Sequence, residues 1–166
     1  MVDNLKKNIM EEAKRIGEDA IFSSKGHFND AAYWEALHLW LGIPSAIAAA
    51  VAGAFAFSND CVLLVGFLSV FAAVCTSVLT FVNPDSRASK HHNAGTAYNA
   101  LKNDARVFSE ITVEAADDIQ KMVKELKSLN DRRTTLNTDS PKISRCGFEK
   151  ARKGIEQGES TYEVDK

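Results

Sequence analysis

Residues 39–57 read LWLGIPSAIAAAVAGAFAF and residues 61–82 read CVLLVGFLSVFAAVCTSVLTFV, with only Ser58, Asn59 and Asp60 between them. Neither run holds an Asp, Glu, Lys or Arg, while the flanking arms hold all 20 basic residues. As helices of 19 and 22 residues they reach about 28 and 33 Å, close to the roughly 30 Å hydrocarbon core of a bilayer. The pattern predicts a two-pass transmembrane hairpin.

Whole-chain averages conceal this segregation. A net charge of -2 and 45% hydrophobic residues would suit an ordinary soluble domain. The competing reading is a helical hairpin buried inside a soluble oligomer, but such helices carry a polar stripe, and uninterrupted runs of this length read as spans. A cleaved signal peptide is not expected, since a charged arm of 36 residues comes first and a second run follows at once. Five Lys or Arg residues precede the first span and fifteen follow the second, whereas the connecting turn has none and carries Asp60. Both termini are therefore expected in the cytoplasm. Tyr33, Trp34 and Trp40, with His38 among them, fall where the first span would meet the headgroups.

Cys61, Cys75 and Cys146 fall at the turn, within the second span and in the C-terminal arm, too far apart in a hairpin to bridge. His91 and His92 are adjacent and point to different faces of a helix, and no Cys or His recurs at ligand spacing. No metal and no cofactor is expected. The arms hold no nucleophile paired with a base, so no enzymatic activity and no catalytic residue is expected, and no DNA partner.

The arms carry helical patterns. Val2, Leu5, Ile9, Ala13, Ile16 and Ala20 recur at three or four residues, leaving Lys6, Lys7, Glu11 and Glu12 to the other face. Asn83 and Pro84 suit a helix start. After them a heptad runs through His91, Ala94, Tyr98, Leu101, Ala105, Phe108, Thr112, Ala115, Ile119, Met122, Leu126 and Leu129. The expected fold is an all-α membrane protein: a transmembrane hairpin, an antiparallel cytoplasmic helical stalk and a short C-terminal helix. As one domain over 1–166, it divides into an N-terminal helix at 1–36, spans at 37–57 and 61–82, an outer turn at 58–60, a long helix at 83–130, and loop, short helix and tail at 131–166. The polar stretch 130–141 reads as the loop, and Ile143, Phe148, Ala151 and Ile155 give the short helix, with Gly158 as its stop. In the tail, Tyr162 and Val164 are suited to dock on a neighbour.

Within the spans, Gly42, Ala46, Ala50 and Ala54 set small side chains at four-residue intervals, a pattern that lets helices approach closely in lipid. It serves either the contact inside one hairpin or an assembly of copies. Pro44 removes a hydrogen bond to the Trp40 carbonyl and marks either a hinge or a static bend. Ser69, Ala73, Thr76 and Thr80 share a face of the second span, a candidate pore lining or a buried interface. Two spans do not enclose a path, so conduction would need a homo-oligomer, with Asp60 of each copy at the outer mouth. Lys25, Arg87, Lys90, His91 and His92 are a candidate site for anionic lipid or a nucleotide phosphate.

Three stretches carry a family likeness: HLWLGIPSAIAAAVAGA at 38–54, FVNPDSRASKHHNAGTAYNALKNDAR at 81–106 and ISRCGFEKARKGIEQGESTYEVDK at 143–166. In this order they resemble the SLATT domain across nearly the whole chain. The resemblance implies a two-span effector of the bacterial inner membrane, expected to form pores and kill or arrest the cell in anti-phage defence. It also implies a functional link to a nucleotide second-messenger synthase or a reverse transcriptase. By position it assigns Leu41 to Ser45 to shaping the first span. Asn83, Pro84, Arg87, His91, Gly95, Tyr98, Leu101 and Arg106 would organise the membrane-proximal helix. It assigns no catalytic residue.

Overall fold

The computed structural model describes residues 2–56, 61–115 and 118–162, and among them every regular element is helical. The helices are α1 (Val2–Phe55), α2 (Val62–Val82), α3 (Pro84–Val107), a π-helical turn at Phe108–Thr112, α4 (Val113–Ala115), α5 (Ile119–Asp139) and α6 (Arg145–Glu156). The turn predicted at Ser58, Asn59 and Asp60 lies outside the described residues. The chain divides into two compact units. An arm unit comprises Met1–Asp30 with Lys90–Lys166, and an apolar unit comprises Ala31–Ser89.

The arm unit is built on the predicted seams. Ile9, Ala13, Ile16 and Ala20 of α1 bury against Tyr98, Leu101, Ala105 and Phe108, with Val113, Met122 and Leu129 completing the core. Ser24 Oγ donates to the Gly95 carbonyl at 2.9 Å and Gly17 approaches Ala105, so the N-terminal part of α1 and α3 run in opposite directions. The Tyr98 hydroxyl donates to Asn137 Oδ1, and Arg132 pairs with Asp104, which sets α5 antiparallel to α3. Phe22 stacks on Phe148 to hold α6 against α1.

Two sequence expectations need correction here. The helix predicted over 83–130 is not continuous. After Phe108 the next buried seam residue is Val113, five positions on, while Thr112 is only half-buried and Ala115 is exposed. The π turn inserts one residue into the heptad and shifts its register. A new helix then starts at Asp118, whose carboxylate accepts from the backbone N–H of Gln120 and Lys121. The predicted loop at 130–141 is instead helical to Asp139. Thr134, Thr135 and Thr138 return their hydroxyls to carbonyls four residues back, so their polarity is compatible with helix. Arg133 and Leu136 are half-buried and continue the seam beyond Leu129.

In the apolar unit α1 runs on without interruption through Pro44 to Phe55, so the stretches 1–36 and 37–55 belong to one helix. Ser45 Oγ donates to the Gly42 carbonyl at 2.9 Å beside the proline. Ser45, Ala48 and Ala52 are buried on α1, and Ala72 and Cys75 on α2. At Gly42 a Cβ would lie 3.9 Å from Leu79 Cδ1, so the backbone there comes close to α2.

Candidate functional site

The apolar unit presents large side chains outward. Trp40 is 78% exposed, Leu63 80%, Phe67 75% and Phe81 88%. Both α1 and the helical stretch from Val62 contain windows long and apolar enough to cross a membrane, yet only 17% and 11% of those windows are buried. In a water-soluble core helix the apolar positions would be covered instead.

Of the small-residue stripe only Gly42 lies close to α2. Gly42 is half-buried near Leu79, but Ala46, Ala50 and Ala54 are exposed. The reason is helical phase. Gly42 already lies at the edge of the face of Ser45, Ala48 and Ala52, and positions four apart advance by about 40° beyond a full turn at each step, so Ala46, Ala50 and Ala54 fall farther round the helix from it. Ser45, Ala48 and Ala52 alternate three and four and stay on that face. The small-residue stripe is left to other surroundings.

Ser69, Ala73, Thr76 and Thr80 are likewise exposed, and share one face of α2. That face is about 100° round the helix from Ala72 and Cys75. Thr80 Oγ1 donates to the Thr76 carbonyl at 2.9 Å and Ser77 Oγ to the Ala73 carbonyl at 2.7 Å. Asp60, placed at the outer mouth by the sequence, lies outside the described residues.

The α2–α3 junction is built from the residues the sequence singled out. Asn83 has φ 48°, a left-handed conformation that ends α2, and its N–H donates to the Leu79 carbonyl at 3.0 Å. Pro84 follows, buried at the first position of α3. Arg87 Nε donates to the Val82 carbonyl at 2.9 Å, satisfying a terminal acceptor of α2. The same guanidinium lies over the Trp34 ring at 5.0 Å. His38 keeps its Nδ1 buried with no hydrogen-bond partner.

In the arm unit the sequence missed a buried polar network. His27 Nδ1 and His91 Nδ1 lie 3.0 Å apart, one donating and one accepting. The His27 ring stacks on Tyr98, whose hydroxyl reaches Asn137, and His91 lies 3.9 Å from the Asp30 carboxylate. Asp30 in turn accepts from the Ser144 N–H at 2.6 Å and its hydroxyl at 2.5 Å, and Ser144 Oγ accepts from the Gly147 N–H to cap α6. A Cβ at Gly147 would overlap the Asp30 carboxylate. One network thus ties α1, α3, α5 and α6 together. Burial, and then repulsion from His91, hold the His27 pKa down at about 4, against the pull of Asp30. Burial raises the Tyr98 phenol. The signal for this network was a helical spacing, His27 with Asp30, set opposite His91 with Tyr98.

The proposed phosphate-binding cations are engaged individually. Lys25 Nζ donates to Glu159 at 2.7 Å, His92 meets the Phe28 ring edge, Arg87 serves the junction and His91 the network. Lys90 lines a shallow cavity with Asn93, Leu136 and Ser140. Arg106 stacks on Tyr162 at 4.7 Å. Comparison with protein-family models, with curated proteins and with solved structures finds no match to this chain.

Proposed function

We propose that this chain is a two-pass membrane protein of the bacterial inner membrane, with both termini cytoplasmic, whose copies assemble into a pore or otherwise breach the bilayer. On the likeness to SLATT domains, the outcome is death or arrest of a phage-infected cell. The functional companion is a nucleotide second-messenger synthase or a reverse transcriptase. The observation that carries the membrane reading is the outward-facing apolar surface. Each large apolar side chain left in water forgoes roughly 1.5–3 kcal/mol of burial, and Leu63, Phe67 and Phe81 are each at least 75% exposed. Lipid removes that penalty.

Assembly is supported by the two faces that the chain leaves uncovered. The exposed stripe of Ala46, Ala50 and Ala54 suits close helix approach. The face of Ser69, Ala73, Thr76 and Thr80 is the candidate lining. Triggered expression is expected to release an entrapped dye and collapse the membrane potential. Toxicity with fully intact membranes would refute the pore.

A second reading is a membrane-anchored binding module that tethers a partner enzyme. It is favoured by the Thr80 and Ser77 hydroxyls, which donate to their own helix and so need no aqueous path. Exchange of both spans for an unrelated hairpin separates the two readings. Activity survives the exchange under the tether and is lost under the pore.

A further inference from the structure

The chain turns back on itself after α6. Gly158 has φ +84°, its N–H donates to the Ile155 carbonyl, and the Glu159 N–H donates to the Gly154 carbonyl at 3.0 Å. A Cβ at Gly154 would overlap the Glu159 carboxylate, so the glycine is what lets the segment fold down there. Glu159 then meets Lys25 of α1 at 2.7 Å. Tyr162 reaches α3, where its hydroxyl accepts from Lys102 Nζ at 2.9 Å and its ring lies under the Arg106 guanidinium at 4.7 Å. The segment 159–162 thereby roofs a cavity of about 220 Å³ whose floor includes Ile21, Ser24 and Asn99.

We propose that the groove between α1 and α3 bounded by Lys25, Asn99, Lys102 and Arg106 is a docking site for an acidic, tyrosine-bearing segment, filled at rest by the chain's own tail and, between assembled copies, by the tail of a neighbour. The match of chemistry carries it. Three cations face one carboxylate and one phenol, an arrangement of opposite charge and cation–π contact that recognises this segment and not a generic loop. Two more acidic residues, Glu163 and Asp165, follow in the sequence. The contacts are also of the exchangeable kind. Glu159 and Tyr162 are both exposed, and exposed ion pairs and cation–π contacts each shift an equilibrium by roughly up to fivefold.

Three such contacts hold the tail by a factor of the order of ten to a hundred. A short tether gives an effective concentration near 1 mM. The free tail is therefore expected to bind an emptied groove with Kd of about 10–100 µM. Exchange between copies rests on the assembly proposed above; the groove itself does not.

The test uses the full chain in detergent. Glu159→Gln with Tyr162→Ala releases the resident tail and leaves the groove intact. A fluorescent peptide of residues 157–166 is expected to bind this variant tenfold or more tightly than the native chain, with affinity falling as salt rises. Adding Lys102→Glu should abolish the gain. Equal binding to the native chain and to both variants overturns the docking site. For exchange, chains with Cys61, Cys75 and Cys146 replaced by Ser carry either Asn99→Cys or Thr161→Cys, two positions lining the one cavity. Oxidised mixtures are expected to yield disulfide-linked heterodimers. Oligomers that yield none, while a chain carrying both cysteines closes on itself, overturn the exchange. Chains that are monomeric throughout overturn the assembly reading, and the peptide titration still decides the groove.

Discussion

Acidification should loosen the arm unit through one side chain. His27 is 1% exposed, and its pKa of about 4 lies well below the ordinary 6.5. Desolvation is the larger cause and electrostatic repulsion from His91 the second, with Asp30 opposing both. The unfolded chain therefore takes up a proton between pH 6.5 and 4 that the folded unit refuses. Stability is full above 6.5, falls as pH drops through this window and levels off near 4. The gap of about 2.5 units, at roughly 1.4 kcal/mol each, amounts to about 3 kcal/mol. That is a large share of the 5–15 kcal/mol typical of a domain. Amide exchange on peptides spanning 101–108, corrected for the intrinsic pH dependence, reads the opening free energy of this core. It should fall by about 1.4 kcal/mol per pH unit below 6.5. His27→Asn should lower the protection at neutral pH, because the ring contact with Tyr98 is lost, and should flatten the slope. Carboxylates elsewhere also titrate at low pH, so the difference between the two chains isolates His27. Identical slopes in both would refute the argument.

Four further outcomes follow from particular positions. Ala52→Leu overpacks the contact between α1 and α2 and should cost about 1–3 kcal/mol in detergent unfolding. Ala54→Leu, on the exposed stripe, should leave that unfolding unchanged but reduce the oligomer recovered by cross-linking. Ser144→Ala removes the cap of α6 and the hydroxyl hydrogen bond to the buried Asp30, while the bond from the Ser144 N–H to Asp30 survives the change. It should cost about 1–3 kcal/mol by thermal melting, with the loss concentrated in α6 exchange. Asp118→Ala should cost about 1 kcal/mol and fray the first turn of α5, read by the same exchange experiment.

The helices and most of the arm core were legible because burial imposes a period on the sequence. Ile9, Ala13, Ile16 and Ala20 were placed by spacing alone, as were Tyr98, Leu101, Ala105 and Phe108. What escaped depended on local chemistry that a heptad overlooks. A π turn needs only one extra residue between Phe108 and Val113, and periodicity read in fixed steps passes over it. Asp118 carried a visible capping signal, and the unbroken apolar register around it masked that signal. The polar composition of 130–141 reads as a loop, yet Arg133 and Leu136 keep the seam and the stretch is helical to Asp139. The contact face of the first span was not legible from the small-residue stripe, because strict four-residue spacing precesses, whereas Ser45, Ala48 and Ala52 on the packed face alternate three and four.

The residues of the membrane-proximal helix singled out by the sequence divide from those that would carry the proposed activity. Asn83, Pro84 and Arg87 end one helix and begin the next, Gly95 lets Phe28 approach, and His91 and Tyr98 join the buried network. Each has a structural task that explains its identity without any ligand or reaction. Action on a membrane would rest on Ala46, Ala50, Ala54, Ser69, Ala73, Thr76 and Thr80, which are exposed and make few demands on the fold of a single chain. Substitution in the first group should therefore reduce protein level and activity together. Substitution in the second should reduce activity at constant level, and only that second pattern bears on how the chain acts.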